Sequence, residues 1–270
     1  MKYSIITVNY NNCKGLQHTI ESVVGQTFRD FEFIVIDGGS TDGSAELLKK
    51  HNKNIKYWIS EKDTGIYNGM NKGIAKATGD YLNFMNSGDC FYDNEVLKHV
   101  ASHQTDADIL VGRDYHFSEA KQLGHASIQP SRLTMMHFFV STIDHQSSFI
   151  KRELFTNSTY REDYRLVSDW IFFTEKVVAE GKRVQFIPDI VCRREEGGLS
   201  EQQHERNRME IDDYLHKFLP SGVYSDYATL AKLDKTSLYR LFSICENDKK
   251  RKLLIMCIKL ITKLSSLMTP

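Results

Sequence analysis

The chain has 270 residues with 35 basic and 35 acidic side chains, hence no formal net charge, which gives no electrostatic footprint for a nucleic-acid partner. Its five cysteines, Cys13, Cys90, Cys192, Cys245 and Cys257, form no C-x-x-C pair and no even framework, which argues against a secreted disulfide scaffold or a cysteine-held metal and for a reducing compartment. This length buries one large core with room for an appendage.

In chain order, MKYSIITVNYNN is too short an apolar run for a signal peptide and is expected to open with a strand, Tyr3–Asn9. Further strands are predicted at Phe31–Asp37, Ile55–Ser60 and Gly79–Asn86, each rich in Ile, Val, Tyr or Phe and bounded by Gly, Asn, Asp or Ser. Between them, Lys14–Gly25, Thr41–His51 and Gly65–Thr78 space their apolar residues at helical intervals. This alternation implies right-handed βαβ crossovers and a mainly parallel sheet flanked by helices, an α/β fold. The pattern then becomes mixed: a strand at Ala107–Gly112, hairpin strands at Arg113–Phe117 and Gln122–Ser127, a helix at Arg132–Phe138 and a strand at Gln146–Lys151. A helix at Val167–Gly181 is followed by two short strands, Arg183–Ile187 and Ile190–Arg193, parted by Pro188. A charged helix covers Glu201 to about Leu219, and short helices follow Pro220, so we expect one domain over 1–219 and a helical extension over 220–270.

The residues that could carry chemistry cluster where predicted strands end. Asp37 opens DGGSTDGS after FIVI, and Asp89 closes NSGDC after YLNFM, so two acids reach the carboxyl edge of an open sheet, where such folds place ligands. Oxygen-rich, cysteine-free surroundings favour Mg²⁺ or Mn²⁺, and one carboxylate with substrate phosphates is a normal way to hold such an ion. Asn86 shares the Asp89 turn. Asp63, in EKDTGIYNGMNKG, either caps the following helix or faces a base or ribose, while Lys72 faces phosphate or solvent. Asp169, in VSDW, is either part of a capping arrangement with Ser168 or a general base near an acceptor hydroxyl. His145 and Gln146 bind acceptor or satisfy a strand edge.

Charge is unevenly spread. Residues 249–270 hold Lys249, Lys250, Arg251, Lys252, Lys259 and Lys263 and no acid, leaving the remainder negative. The apolar residues of this tail are too few, and too interrupted by lysine, for the ~20 needed to span a bilayer. It is either an interfacial helix attracted to anionic lipid or an amphipathic helix packed on protein.

Taken together, SIITVNYNN, FEFIVIDGGSTDGS, E-x-D-x-G-I-Y-x-x-M-N-K-G from Glu61, A-x-G-D-Y-x-x-x-x-N-S-G-D from Ala77, DHQSSF, VSDW and GGLS at Gly197–Ser200 resemble the family 2 glycosyltransferases of GT-A fold, particularly bacterial enzymes of surface-polysaccharide and O-antigen synthesis. The resemblance implies inverting transfer of a sugar from a nucleotide-sugar donor, most often a UDP-sugar, to a hydroxyl of a glycan or polyprenyl-diphosphate-linked acceptor. It implies that Thr7 and Asp37 contact the nucleotide, Asp63 approaches the base, Asp89 is the retained acid of the metal-binding D-x-D motif and Asp169 is the catalytic base. Asn86 and Lys72 fall on the donor side, and Arg193, Arg194 or Ser200 would close over the diphosphate. Ser87-Gly88-Asp89 carries a single acid where many relatives have two. The resemblance also implies a cytoplasmic location, with peripheral membrane contact through residues 249–268 and a homo-oligomer as candidate associations. The competing readings are a nucleotidyltransferase, disfavoured because NYNNCKGL is not a glycine-rich basic phosphate loop, and a non-catalytic module that binds nucleotide sugars or membrane surfaces.

Overall fold

The computed structural model describes residues 2–103, 105–118, 123–130, 132–195, 203–233 and 235–268. Two compact units divide the chain, Met1–Tyr214 and Leu215–Pro270.

In the first unit β1 (Tyr3–Asn9), β2 (Phe31–Asp37), β3 (Tyr57–Ser60) and β4 (Tyr81–Phe84) alternate with α1 (Cys13–Val24), α2 (Ser44–Lys50) and α3 (Ile66–Lys76). They pair in parallel in the order β3-β2-β1-β4. Strand β1 is buried along its whole length and β2 from Glu32 onward, which is why both read as near-continuous apolar runs. Buried polar groups are satisfied locally: Glu32 accepts from Ser4 Oγ (2.6 Å) and from the Thr78 N–H (2.5 Å).

Beyond β4 the sheet turns mixed. It continues through β8 (Ser148–Lys151), β6 (Ile109–Ser118), β9 (Val184–Glu195) and the two-residue β5 (Cys90–Phe91), with β7 (Leu123–Ala126) on β6. Neither β5 nor α4 (Val96–Ser102) is among the predicted elements; β5 is too short to show a periodicity. The strands expected at 107–112 and 113–117 are one strand, β6, and those expected on either side of Pro188 are one strand, β9. The reason lies at Gly112. The pairing jumps from Val111↔Phe186 to Arg113↔Ile190, so Pro188 sits in a bulge where no ladder N–H is required. A Cβ on Gly112 would lie 2.4 Å from Val191 Cγ2; only glycine lets the bulged strand come this close.

The remaining helices are α5 (Met135–Val140), α6 (Ser168–Thr174), which widens into a π-helical stretch at Glu175–Ala179, and α7 (His204–Phe218), inside which the division between units falls. The second unit adds α8 (Ser221–Leu230), α9 (Lys235–Glu246) and α10 (Asp248–Met268). On α10, Leu253, Ile255, Met256, Ile258, Leu260 and Ile261 are exposed. No helix among the described residues is long and apolar enough to cross a membrane.

Candidate active site

The carboxyl ends of β1, β2, β3 and β4 share one edge because the four strands are parallel, and the loops leaving them carry the predicted acids. At β2, Asp37 is fully buried. It accepts from Asn9 Nδ2 (2.6 Å), Ser40 Oγ (2.6 Å), Ser40 N–H (3.0 Å) and Ser60 Oγ (2.5 Å). Burial pushes its carboxyl up, but the donors from Ser40, Ser60 and Asn9 outweigh that and hold it below the usual range. Asp37 therefore clamps the glycine turn, in which Gly39 adopts φ +80°. Thr7 is also fully buried and donates to the Met85 carbonyl at 2.6 Å. Both side chains, expected to contact the nucleotide, are buried here and hold neighbouring strand ends together.

After β3, Asp63 Oδ1 accepts from the Gly65 N–H at 3.0 Å, a turn just ahead of α3 rather than the helix cap that was one of its two readings, since Gly65 itself is the cap and provides no side-chain hydrogen bond. Its other oxygen borders Gly38, where a Cβ would lie only 2.8 Å away. The loops after β2 and β3 thus abut around this half-buried carboxylate, whose pKa burial raises. Lys72 pairs with Glu61 at 2.7 Å.

After β4, Asn86–Asp89 forms a tight turn closed by the Asp89 N–H donating to the Asn86 carbonyl (2.9 Å), with Gly88 at φ +105°, the position where such a turn demands glycine. Thr19 of α1 grips the turn: its hydroxyl donates to the Asp89 carbonyl (2.8 Å) and accepts from the Gly88 N–H (3.0 Å). Asn12 Nδ2 donates to the Ser87 carbonyl at 3.1 Å. The Asp89 carboxyl is raised by burial, which the charges of His145 and Arg194 and a hydrogen bond from Gln146 offset only in part. Such a carboxylate, short of compensating charge, suits a hard cation.

Asp169, in the first turn of α6, is brought to this edge by partners from two other segments. Tyr67 of α3 donates its hydroxyl to Oδ1 (2.7 Å), and His145 donates Nδ1–H to Oδ2 (2.7 Å). Burial alone would raise the Asp169 carboxyl; the hydrogen bond and charge of His145, then Tyr67, hold it below the usual range, and burial's depression of His145 is likewise outweighed by Asp169, Asp89 and Asp144. His145 Nε2 meets Asn86 Nδ2 at 3.1 Å, so the Asp89 turn and the Asp169 carboxylate are joined through one imidazole.

A further group lies beside these. Asp114 of β6, His116 and Asp144 bring ligand atoms within 4.8 Å of one another. Arg194 of β9 stands 3.6 Å from Asp114 and 3.7 Å from Asp144, and Ser147 donates to Asp114. Burial, then Asp144, pushes the Asp114 carboxyl up to about 7 against the pull of Ser147 and Arg194. Arg193 instead lies over the Phe117 ring at 4.5 Å. Ser200 and Gly197 fall outside the described residues. Sequence reasoning missed Tyr67, Asp114 and Asp144 as site residues. The Asp144-His145 pairing and the tyrosine of GIY were the available signals, each too common alone to single out.

With this geometry in place, comparison with known proteins is direct. The profile of glycosyl transferase family 2 matches residues 4–165, a span from β1 to just before α6. A glycosyltransferase of PGL/p-HBAD biosynthesis from Mycobacterium bovis is 33% identical over 177 residues, covering 63% of this chain and 67% of its own length. An uncharacterised glycosyltransferase of Mycobacterium tuberculosis is 45% identical over 95 residues, spanning 35% of this chain and only 36% of that protein. Among solved structures, Staphylococcus aureus TarS 1–349 in complex with UDP-GlcNAc superposes with TM-score 0.63 at 18% identity, covering 84% of this chain and 70% of that one. The mannosyltransferase PcManGT of Pyrobaculum calidifontis, in complex with GDP-Man and Mn²⁺, gives 0.57 at 15% identity, covering 96% and 85%. At these identities the structures speak for the fold, which is the mixed, mainly parallel GT-A arrangement. The profile match over more than half the chain and the acids gathered at one sheet edge lead to the same place: the chain belongs to glycosyl transferase family 2.

Proposed function

We propose that this glycosyltransferase moves a sugar, with inversion, from a UDP-sugar or related nucleotide sugar to a hydroxyl of a glycan or polyprenyl-diphosphate-linked acceptor, in assembly of a bacterial surface polysaccharide. The observation that carries the reading is the Asp169 carboxylate, kept ionised and oriented by His145 and Tyr67 next to the turn that bears Asp89. In the proposed step the acceptor oxygen bonds to the anomeric carbon as the bond from that carbon to the diphosphate breaks. The hydroxyl proton passes to Asp169 and the bonding pair leaves on the diphosphate. One displacement inverts the centre, and no second carboxylate has to act as nucleophile. The nucleotide would lie against the abutting loops of Asp63 and Gly38, with Lys72 and Asn86 on its phosphate side.

A divalent cation, Mn²⁺ or Mg²⁺, fits the under-compensated Asp89 carboxylate, which would hold it together with donor phosphates; when bound it would neutralise charge developing on the leaving diphosphate. The Asp114–His116–Asp144 group is the weaker holder, since Arg194 already brings positive charge to two of its members.

We place the reaction on the cytoplasmic face of the cell membrane, with α10 in peripheral contact through its basic and apolar residues. That the neighbouring structures hold UDP-GlcNAc and GDP-Man supports a nucleotide-sugar donor. The direct test is Asp169→Asn in a transfer or donor-hydrolysis assay over a panel of UDP-, GDP- and TDP-sugars. Turnover should fall by about 10²–10⁴-fold while calorimetric donor binding persists. Unchanged turnover would remove Asp169 from the role of base, and donor binding without turnover in the unaltered protein would favour a binding module.

A further inference from the structure

Asp169 has a protein donor on each oxygen, and one of those donors has a second attachment. His145, on the 3-10 turn His145–Ser147, is half-buried with a side-chain exposure of 15%, against 17% for Asp169. Its Nδ1–H is committed to Asp169 Oδ2 at 2.7 Å. Its Nε2 lies 3.1 Å from the Asn86 amide nitrogen, so a neutral ring with its proton on Nδ1 would accept from that amide. Asn86 Oδ1 is buried and has no hydrogen-bond partner. The amide is therefore spent on the imidazole alone on this side, and turning it over would offer Oδ1 to an Nε2–H instead.

Resting on the reading of Asp169 as base, we propose that His145 is the positioning residue for that base, setting the carboxylate's orientation and tying it to the turn that carries Asn86 and Asp89. The chain runs Asn86–His145–Asp169–Tyr67 through contacts of 3.1, 2.7 and 2.7 Å. It joins the turn after β4, the segment before β8, the start of α6 and α3. A carboxylate offers about four lone-pair sites, so the donors fix its plane and still leave capacity for an acceptor hydroxyl. The consequence is mechanical. A shift of the donor turn as a diphosphate engages it reaches the base through two hydrogen bonds, so donor seating and base alignment are set together.

The test uses the full chain and a substitution series at His145. His145→Phe keeps the ring without a donor. His145→Asn restores a donor near the Nδ1 position and lacks the Nε2 contact. With the panel sugar that the unaltered protein hydrolyses fastest, His145→Phe should lower kcat by about 10²-fold, the scale of a misplaced reacting group, with donor KM and thermal midpoint nearly unchanged. His145→Asn should recover most of that loss. Independently of turnover, long-range ¹H–¹⁵N spectra should show a protonated, hydrogen-bonded His145 Nδ1 in the unaltered protein and loss of that hydrogen bond in Asp169→Ala. Wild-type kcat in His145→Phe, a loss in KM alone, or His145→Asn as impaired as His145→Phe at equal stability would each overturn the proposal. If Asp169→Asn abolishes turnover while His145→Phe does not, the base reading stands and the positioning role alone falls; if Asp169→Asn turns over normally, both fall.

Discussion

At the residue scale, the four aspartates that end or follow strands and open α6 divide by what surrounds them. Asp37 receives hydrogen bonds from Asn9, Ser40 and Ser60 and is sealed from solvent, and in this arrangement it holds the turn. Because the fold lowers its pKa, the stabilisation is complete above the unfolded carboxylate value of about 4 and is lost as the pH falls through the lower folded value. Asp37→Asn should therefore cost about 2 kcal/mol at pH 7, shrinking toward pH 3; urea unfolding at both pH values checks this, and an equal loss at each would contradict it. Asp89 is the opposite case, a carboxyl that burial raises and its neighbours only partly compensate. Asp89→Ala should weaken UDP binding in the presence of Mn²⁺ by about tenfold or more, roughly the 1.4 kcal/mol of one charge-assisted contact. Little difference should remain in EDTA; calorimetry giving equal affinities with metal present would refute the cation role. The sequence made Asp89 and Asp169 visible as candidates, since each sits beside an apolar run at a turn or helix start. It could not distinguish Asp37 as clamp from Asp37 as ligand contact, because that depends on where the hydroxyls of Ser40 and Ser60 point.

Among the elements, the first half of the chain was the legible part. Strands β1 and β2 match their predicted limits, and α1 and α3 lie within about two residues of theirs, because apolar periodicity and Gly, Asn or Asp boundaries act locally. The second half was harder, as β6 and β9 owe their continuity to a bulge opposite Gly112. A single-strand pattern does not display such a feature; Pro188 looked like a break and is instead accommodated within the longer strand. Helix α3 illustrates the same coupling of element to element. A Cβ at Gly73 would meet Ile6 Cγ2 at 2.4 Å, so the close seating of α3 on β1 requires glycine there. Gly73→Ala should destabilise the protein by about 1–3 kcal/mol, the usual cost of overpacking. A thermal melt showing no loss would mean that the helix can shift without penalty. Since α3 carries Tyr67 to Asp169, the same variant should also lower turnover.

For the molecule as a whole, family and fold coincide in the first unit, while α10 in the second combines exposed apolar residues with a basic start. If α10 meets an anionic bilayer as proposed, replacing Lys249, Lys250, Arg251 and Lys252 together by Glu in the full chain should abolish flotation with phosphatidylglycerol vesicles at low salt. Each basic residue is worth about 1 kcal/mol near such a surface. Equal flotation of both forms would exclude an electrostatic attachment. The order of β1 to β4 with α1 to α3, the parallel half of the sheet and the acids at its carboxyl edge were determined by the sequence alone, because alternation of apolar runs with turn residues is written in neighbouring positions. Only the tertiary structure decided that Thr7 and Asp37 face inward, that β6 and β9 are each continuous, and that Asn86, His145, Asp169 and Tyr67 form one hydrogen-bonded chain. Those four residues lie on separate elements, up to 102 positions apart between Tyr67 and Asp169. Their meeting depends on how helices pack on a twisted sheet, a geometry that no local pattern records.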